Sequence, residues 1–377
     1  MESRRLSGNN HWYHETLATG RADTPPLVPE AAVAADPFLL GAADKASPQL
    51  QQFIDTQRPM LQTARELYQQ LFPAQVTTNR LNTLTLYDRL SSALTVAQVT
   101  GIQRLCNHYA ARLNPLPGPD SSRESNRRLT QITEYARLMS SQPSRLDAMA
   151  LQRLEEAGLT LPDIITFHQL IGYVCYQARI VAGIHALSGQ PVRWLPGQNI
   201  SPDAPSVAVK EGDIWQPRLH YPQTSYLSDR QSDIVTQCAR QHFPTGALNL
   251  LVQDEKVLLA MSKLQRLTDD ISPLAQAVCA SINGSGWCLQ QYSDPRRREI
   301  LQAGIDDLPA AAFNAEERAV INLAAWLTRT PDRLSAAHLQ PLQQTMSLQQ
   351  IWQLIQQIAI ANWQNRLLQT LGSLSPQ

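Results

Sequence analysis

Residues 283–292 contain the side chains of this 377-residue chain whose types and spacing best fit a chemical site. An apolar run, residues 274–282, comes first, and Asn283-Gly284 then marks a turn, so a new helix is expected to begin near Ser285. Cys288 would lie in the first turn of that helix. Free N–H groups and the helix dipole there favour a thiolate, which is a nucleophile.

Helical periodicity surrounds this segment and dominates the chain. Apolar residues recur at helical spacing in residues 61–71 and again in residues 90–97, whereas the alternating pattern of strands is almost absent. The longest apolar stretch, residues 164–184, is interrupted by polar side chains and predicts a buried helix, not a membrane span. The sequence predicts an all-α fold.

An internal repeat predicts how these helices are organised. Three pairs of segments match in the same order, at offsets between 183 and 188 residues: 100–101 with 283–284, 142–146 with 330–334, and 176–179 with 363–366. Such a series indicates a tandem duplication of one helical domain. We expect the two copies to pack against each other as a pseudo-dimer.

The segments that flank the motif resemble the alkylhydroperoxidase D and carboxymuconolactone decarboxylase superfamily, in particular its peroxidase-related branch. The similar segments are 327–334 and 361–372 in the second copy, and 57–68, 163–165 and 176–183 in the first. The resemblance covers residues 48–377 and implies two alkylhydroperoxidase-like helical domains in tandem.

The family's motif is Asn-Gly-Cys-x-x-Cys-x-x-x-His, with a glutamate twelve residues before the first cysteine. Its two cysteines cycle between dithiol and disulfide while histidine and glutamate relay protons. The second copy has Ser285, Cys288, Tyr292 and Pro273 at the four corresponding positions, and the first copy has Ile102, Leu105, Tyr109 and Leu90. One thiol therefore remains, without the resolving cysteine or either proton-relay group.

Cys288, Ser285 and Tyr292 are the candidate catalytic residues. Ser285 could hydrogen-bond a Cys288 thiolate, Tyr292 could orient a peroxide oxygen, and an external thiol would reduce the resulting sulfenic acid. The resemblance thus implies a thiol-dependent, peroxidase-related protein that reduces hydroperoxides through one cysteine. One alternative is a catalytically degenerate scaffold or small-ligand-binding protein of the same fold, with Cys288 as packing. Another is lyase chemistry of the decarboxylase type, which Tyr292 in place of the histidine disfavours.

Two arginines occupy matched positions in the repeat. Arg179 and Arg366 each follow an aromatic residue within an otherwise apolar helix, where a charged group needs a partner. A salt bridge within each domain is the expected arrangement, and a ligand contact is the alternative.

The domain boundaries follow from composition. We expect a loose N-terminal arm over residues 1–47, a first domain without the cysteine motif over 48–190, and a second domain with a degenerate Ser-x-x-Cys motif over 227–377. Six prolines between residues 191 and 226 exclude a continuous helix, so this segment is expected to be an irregular connection.

Charge and cysteine content bound the possible partners. With 32 basic and 32 acidic residues, the chain has no net charge to hold nucleic acid or an acidic membrane. Five cysteines without a framework spacing, and no signal peptide, predict a cytoplasmic protein. No cofactor or metal site is expected. The expected partners are a small-molecule substrate, an external thiol reductant if the protein is active, and further copies of the chain, since superfamily members form homo-oligomers.

Overall fold

The computed structural model describes residues 36–191, 200–206, 209–210, 212–220, 226–239, 243–268, 271–309 and 311–375. Residues 1–35 of the expected N-terminal arm, and parts of the expected connection, lie outside these residues. Within the described part the secondary structure is helical except for two short strands, which confirms the predicted all-α class.

The helices of the N-terminal part are α1 (Pro48–Thr56), α2 (Arg58–Leu71), α3 (Leu86–Thr100), α4 (Gln103–Leu113), α5 (Arg123–Ser141), α6 (Ala148–Glu156) and α7 (Leu161–Leu187). The strands are β1 (Ile214–Pro217) and β2 (Gly372–Ser375). The helices of the C-terminal part are α8 (Asp229–Cys238), α9 (Thr245–Leu251), α10 (Glu255–Arg266), α11 (Pro273–Asn283), α12 (Gly286–Gln290), α13 (Pro295–Ala303), α14 (Ala315–Arg329), α15 (Ala336–Gln343) and α16 (Leu348–Leu371). Short 3-10 turns cover Pro143–Arg145, Val252–Asp254 and Pro331–Arg333.

Residues 86–187, here called the first unit, and residues 273–371, the second unit, share an order of elements. Helices α3 and α11 end at matched residues, and each is followed by a left-handed glycine, Gly101 (φ 71°) and Gly284 (φ 74°). A glycine in this conformation commonly terminates a helix because it has no Cβ to clash. The 3-10 turns that follow α5 and α14 also begin and end at matched residues. The two units therefore share the order and several boundaries of their elements, and the duplication itself stays a prediction.

The longest helix of each unit, α7 and α16, forms the centre of the molecule, where the two pack against each other. Each begins at a capping box, formed by Thr160 with Asp163 in α7 and by Ser347 with Gln350 in α16. Among the described residues, α7 is the one helix long and apolar enough to cross a membrane, and 89% of its most apolar window is buried inside the protein. The predicted buried helix is therefore a core helix surrounded by other helices.

The contact between α7 and α16 is close because of two glycines of α7, Gly172 and Gly183, the second of which faces Ile355. A Cβ atom placed on Gly172 would lie 1.9 Å from Cδ1 of Trp363. The Trp363 indole N–H also donates a hydrogen bond to Oε1 of Gln169 at 3.0 Å. The buried apolar side chains of both units form one continuous hydrophobic core.

Contacts between the units are reciprocal. A Cβ on Gly101 would meet Asp332 of the second unit, and a Cβ on Gly284 would meet Ser144 of the first unit. Ser144 and Asp332 are themselves matched positions in the repeat. The two units are therefore related by an approximate twofold arrangement, with each motif turn lying against the 3-10 turn of the other unit.

The segment expected to be an irregular connection contains a strand that belongs to the fold. Strand β1 pairs antiparallel with β2, with Trp215 opposite Leu374. The Trp215 side chain is buried, and its indole N–H donates to the Leu368 carbonyl at 2.9 Å. No local sequence pattern predicts this pairing, because β1 is four residues long and its partner lies more than 150 residues later.

The C-terminal end of the expected loose arm is packed. Phe38 and Leu40 are completely buried. The side-chain amide of Gln177, in the central helix α7, donates to the carbonyl oxygens of Pro37 and Phe38 at 2.9 and 2.8 Å. Residues 36–47 therefore belong to the core of the first part of the chain and not to a loose arm.

Candidate functional site

Cys288 lies where the sequence places it, in the first turn of a helix. Helix α12 begins at Gly286, with Ser285 as the residue before it, and Cys288 is its third residue. The left-handed Gly284 reverses the chain, and the Ser285 N–H donates to the Ala280 carbonyl at 2.9 Å. The Asn-Gly sequence therefore sets the bend between α11 and α12 as expected.

The electrostatic environment of Cys288 opposes a thiolate. Burial raises the pKa of its thiol to about 12, and the nearby Ser285 hydroxyl lowers that pKa only in part. A five-residue helix has a weak dipole, which does not offset removal of the sulfur from water. The thiol is therefore protonated at neutral pH, contrary to the expectation drawn from its position in the helix.

The structure brings Ser285 to Cys288 but directs Tyr292 elsewhere. Ser285 is buried, and its hydroxyl oxygen has no hydrogen-bond partner among the described residues. Tyr292 follows the end of α12, and the Arg297 guanidinium lies near its phenol. The backbone carbonyl of Tyr292 accepts a hydrogen bond from Nη1 of Arg298 at 3.2 Å. Tyr292 is thus held against α13.

Cys288 forms no disulfide with a second thiol. Five cysteines are free: Cys106, Cys175, Cys238, Cys279 and Cys288. Cys279 is completely buried, and its sulfur accepts a hydrogen bond from the Thr328 hydroxyl at 3.3 Å. Burial raises the pKa of the Cys279 thiol to about 11. Neither cysteine next to the motif turn is ionised at neutral pH.

Histidine supplies neither a base nor a metal ligand near this turn. In the part of the chain that the structure describes, no group of three or more His, Cys, Asp or Glu residues could hold a metal ion. His168 is completely buried, with its ring nitrogens at 2.7 Å from both the Tyr135 hydroxyl and the Ile164 carbonyl. Burial lowers the pKa of His168 to about 4, so its ring is a neutral part of the core.

The predicted salt bridges of the two matched arginines are wrong. Arg179 Nη2 donates to the Thr328 carbonyl at 2.8 Å, and Arg366 Nη2 donates to the Ser140 carbonyl at 2.9 Å. Each arginine therefore reaches into the other unit, at matched positions, and neither has a carboxylate partner among the described residues. Thr328 and Ser140 are the next-to-last residues of α14 and α5, where carbonyl groups lack partners within the helix.

A buried polar network that the sequence analysis missed surrounds Arg366. Asn362 accepts hydrogen bonds on its side-chain oxygen from Arg366 Nη1 at 2.8 Å and from Asn283 Nδ2 at 3.2 Å. Asn362 Nδ2 donates to the Thr328 hydroxyl at 2.9 Å. The Asn-Gly pattern identifies Asn283 only as a turn residue. The amides of Asn283 and Asn362 could have indicated a polar network, but their contact depends on the packing of α11 against α16.

An open groove lies beside the motif turn and was also missed. Its volume is about 940 Å³, within the range of pockets that bind small organic molecules. Described residues 200–206 form one wall, and α13, α14 and the loop between them form the others. Arg329 fixes the first wall, because its Nε donates to Asp203 at 2.7 Å while its Nη1 donates to Asp306 at 2.7 Å.

No protein-family model matches this sequence, and no curated protein is significantly similar to it. The likeness to the alkylhydroperoxidase superfamily therefore rests on the motif and flanking residues given above.

Proposed function

We propose that this chain is a catalytically degenerate, small-ligand-binding protein on an alkylhydroperoxidase-like scaffold, and not a thiol peroxidase. One observation carries the proposal: Cys288, at the position of the family's nucleophile, is a partly buried residue, and burial raises the pKa of its thiol to about 12. A groove of about 940 Å³, lined by Ser281 at the end of α11 and not by Cys288, remains open.

Thiol peroxidase chemistry needs three groups that this site lacks. A thiolate must attack the peroxide oxygen, a base must generate that thiolate, and a second thiol must regenerate it. Cys288 is protonated at neutral pH, and the described residues around it include no base in contact with its sulfur. An external thiol could replace the resolving cysteine, but it could not supply the thiolate.

The lining of the groove favours a ligand with an apolar body and a cationic or hydrogen-bond-donating group. Trp326, Ile300 and Ile305 provide apolar surface. Three carboxylates against one guanidinium give the groove a negative charge: Asp203, Asp306 and Asp307 against Arg329. Such a lining attracts amines and neutral polar compounds more than acids.

Lyase chemistry of the decarboxylase type is less well supported. It requires a free acid or base in contact with the substrate. Two of the three carboxylates in the groove, Asp203 and Asp306, are engaged by Arg329. The position of the family's histidine is occupied by Tyr292, whose backbone carbonyl accepts a hydrogen bond from Arg298 in α13.

Location and assembly are further parts of this proposal. Five free thiols agree with a reducing compartment, so a cytoplasmic location is proposed. Assembly into a homo-oligomer is proposed from the resemblance alone. A small-molecule ligand for the groove replaces the hydroperoxide as the expected partner.

The peroxidase alternative is tested by following consumption of an organic hydroperoxide with a dithiol reductant present. We expect wild-type protein and Cys288→Ser to give the same rate as buffer. Turnover by the wild type that disappears in Cys288→Ser would overturn the proposal.

Ligand binding in the groove is tested with a variant that fills it. Ala303 is exposed at the end of α13 and lines the groove, whereas Ala111 is exposed in the first unit, far along the chain from it. In a thermal-shift screen of small amines and neutral polar compounds, hits should bind wild-type protein and Ala111→Trp equally. Ala303→Trp should bind the same compounds with at least tenfold lower affinity. A screen in which no compound distinguishes the two variants would contradict the assignment of the groove.

A further inference from the structure

A second, smaller cavity lies between the two units. Its volume is about 30 Å³, which is enough for one or two water-sized groups. Much of its wall consists of matched residues, one from each unit: Thr100 with Asn283, Ser140 with Thr328, and Arg179 with Arg366. The cavity therefore lies where the approximate twofold arrangement brings equivalent positions face to face.

Two unpaired guanidinium groups are the unusual feature of this cavity. Arg179 and Arg366 are 1% and 2% exposed, and no acidic residue lines the cavity among those that the structure describes. A third arginine, Arg329, also reaches the wall, but it is neutralised by Asp203 and Asp306. Buried cations are normally paired with anions, so this pair needs a compensating charge.

Both arginines carry their charge at neutral pH. Burial, and after it the like charge of Arg366, lowers the pKa of Arg179 to about 9. Burial also lowers the pKa of Arg366. The nearest acidic groups include the Cys279 thiol, whose pKa is raised to about 11, so that it supplies no negative charge.

The helix ends compensate only part of this charge. Each guanidinium donates to a carbonyl in the last turn of a helix, α14 for Arg179 and α5 for Arg366. The C-terminus of a helix carries about half a negative elementary charge, so two helix ends balance roughly one of the two positive charges. About one positive charge remains in the cavity wall.

Hydrogen-bond donors also remain unused. The Nε–H groups of Arg179 and Arg366 are buried and have no partner among the described residues. Nη2 of each arginine uses one of its two hydrogens on a backbone carbonyl. These remaining N–H groups suit a small acceptor with a negative charge.

We infer that this cavity binds one small inorganic anion, a halide or a compact oxyanion such as phosphate, held between Arg179 and Arg366. The anion would neutralise the remaining positive charge and accept hydrogen bonds from the unused N–H groups. It would also join the two units at their interface, since each arginine belongs to one unit and bonds to the backbone of the other. The cavity adjoins the groove, because Ser201, Pro202 and Arg329 line both, but the inference does not depend on a ligand in the groove.

The first test measures thermal stability of the full chain at constant ionic strength. Sodium gluconate, whose anion is too large for the cavity, is replaced stepwise by chloride, bromide or phosphate. We expect the melting temperature to rise and saturate with at least one of the three small anions. The anion that saturates at the lowest concentration identifies the class, halide or oxyanion.

Matched variants locate the effect. Arg179→Gln and Arg366→Gln should each weaken the apparent anion affinity at least tenfold. The control is Arg128→Gln, which removes a largely buried arginine of the first unit that is paired with Asp88 at 3.1 Å and lies outside the cavity. Arg128→Gln should lower the melting temperature but keep the same anion dependence.

The double variant gives a second signature that depends on the anion. In gluconate the two charges repel, so removing both arginines should cost more stability than the sum of the single variants. In a saturating small anion, each single variant already loses the shared ligand, and the double variant should cost less than the sum. The coupling energy between the two arginine substitutions is therefore expected to have opposite signs in gluconate and in the small anion.

Crystals of wild-type protein in bromide provide a direct test that needs no variant. Anomalous density between Arg179 and Arg366 is expected if the site takes a halide, and phosphate density at the same place is expected if it takes an oxyanion. Absence of both densities, with the same melting temperature in gluconate and in all three small anions, would overturn the inference. The arginines would then serve only to cap α5 and α14.

Discussion

The turn after α3 reads Thr100-Gly101-Ile102, and the turn after α11 reads Asn283-Gly284-Ser285. Both glycines adopt nearly the same left-handed conformation, and the next helix begins at the matched residue in each unit. Two residues into that helix, the first unit has Leu105 where the second has Cys288. The same backbone therefore carries an apolar turn in one unit and a polar turn in the other.

The comparison shows which features the scaffold needs. Gly101 and Gly284 are retained because the turn geometry and the contact with the other unit leave no room for a Cβ. Arg179 and Arg366 are retained because each caps a helix of the opposite unit. In the first unit, the position of Asn362 is occupied by Cys175, and the positions of Asn283 and Cys279 have neither an amide nor a thiol. The polar network is therefore a property of the second unit.

The largest expected difference between the units is their response to acid. His168 of the first unit matches Ile355 of the second, and its pKa is lowered to about 4 by burial. Because the folded pKa lies below the unfolded value, the stabilising effect is present above about pH 6.5 and is lost as pH falls towards 4. Lowering the pH from 7.5 to 4.5 should therefore reduce the free energy of unfolding by about 2.5 kcal/mol through His168.

This prediction is checked by urea unfolding at both pH values. His168→Gln should reduce the difference between the two pH values by about that amount. Equal acid sensitivity of wild-type protein and His168→Gln would contradict the assignment.

The next largest effect is expected at the contact between the central helices. Gly172→Ala would place a Cβ atom 1.9 Å from the Trp363 ring and should destabilise the protein by about 2 kcal/mol, after a small gain in helix propensity. The matched position in α16 is Ala359, which is buried but already has a Cβ. Ala359→Gly should cost only about 1 kcal/mol. Urea midpoints that rank these variants in the opposite order would show that the helices are packed differently.

A smaller and more nearly equal effect is expected at the two motif turns. Gly101→Ala and Gly284→Ala place an L side chain at φ 71° and 74° and should each cost about 1–2 kcal/mol. Gly118→Ala is the control, because nothing lies within 4 Å of its added Cβ, and it should change stability by less than about 0.5 kcal/mol. A large difference between the two turn variants in thermal unfolding would count against the twofold relation.

The sequence predicted the parts of this structure that depend on local signals. Helical periodicity predicted the all-α class, and the Asn-Gly turn predicted where α12 begins. The matched segments predicted the paired positions of Arg179 and Arg366. Each of these depends on residues that are close in sequence or repeated in it.

The remaining features depend on packing between distant segments. The desolvation of Cys288 is a tertiary property, and position in a helix alone predicted the opposite protonation state. The partners of Arg179 and Arg366 are backbone carbonyls, which any residue could supply, so no side-chain pattern could reveal them. Strand β1 was missed for the same reason, because its pairing with β2 is set by the burial of Trp215.

The most direct test of the account is the rate of Cys288 alkylation by iodoacetamide as a function of pH, followed by peptide mass spectrometry. Cys106 is the internal reference, because burial also raises its pKa to about 12. At pH 7, Cys288 should react about three orders of magnitude more slowly than a free cysteine, with a rate that still rises above pH 10. A rate that levels off with a midpoint below pH 8.5, while Cys106 stays unreactive, would contradict the account and restore Cys288 as a nucleophile.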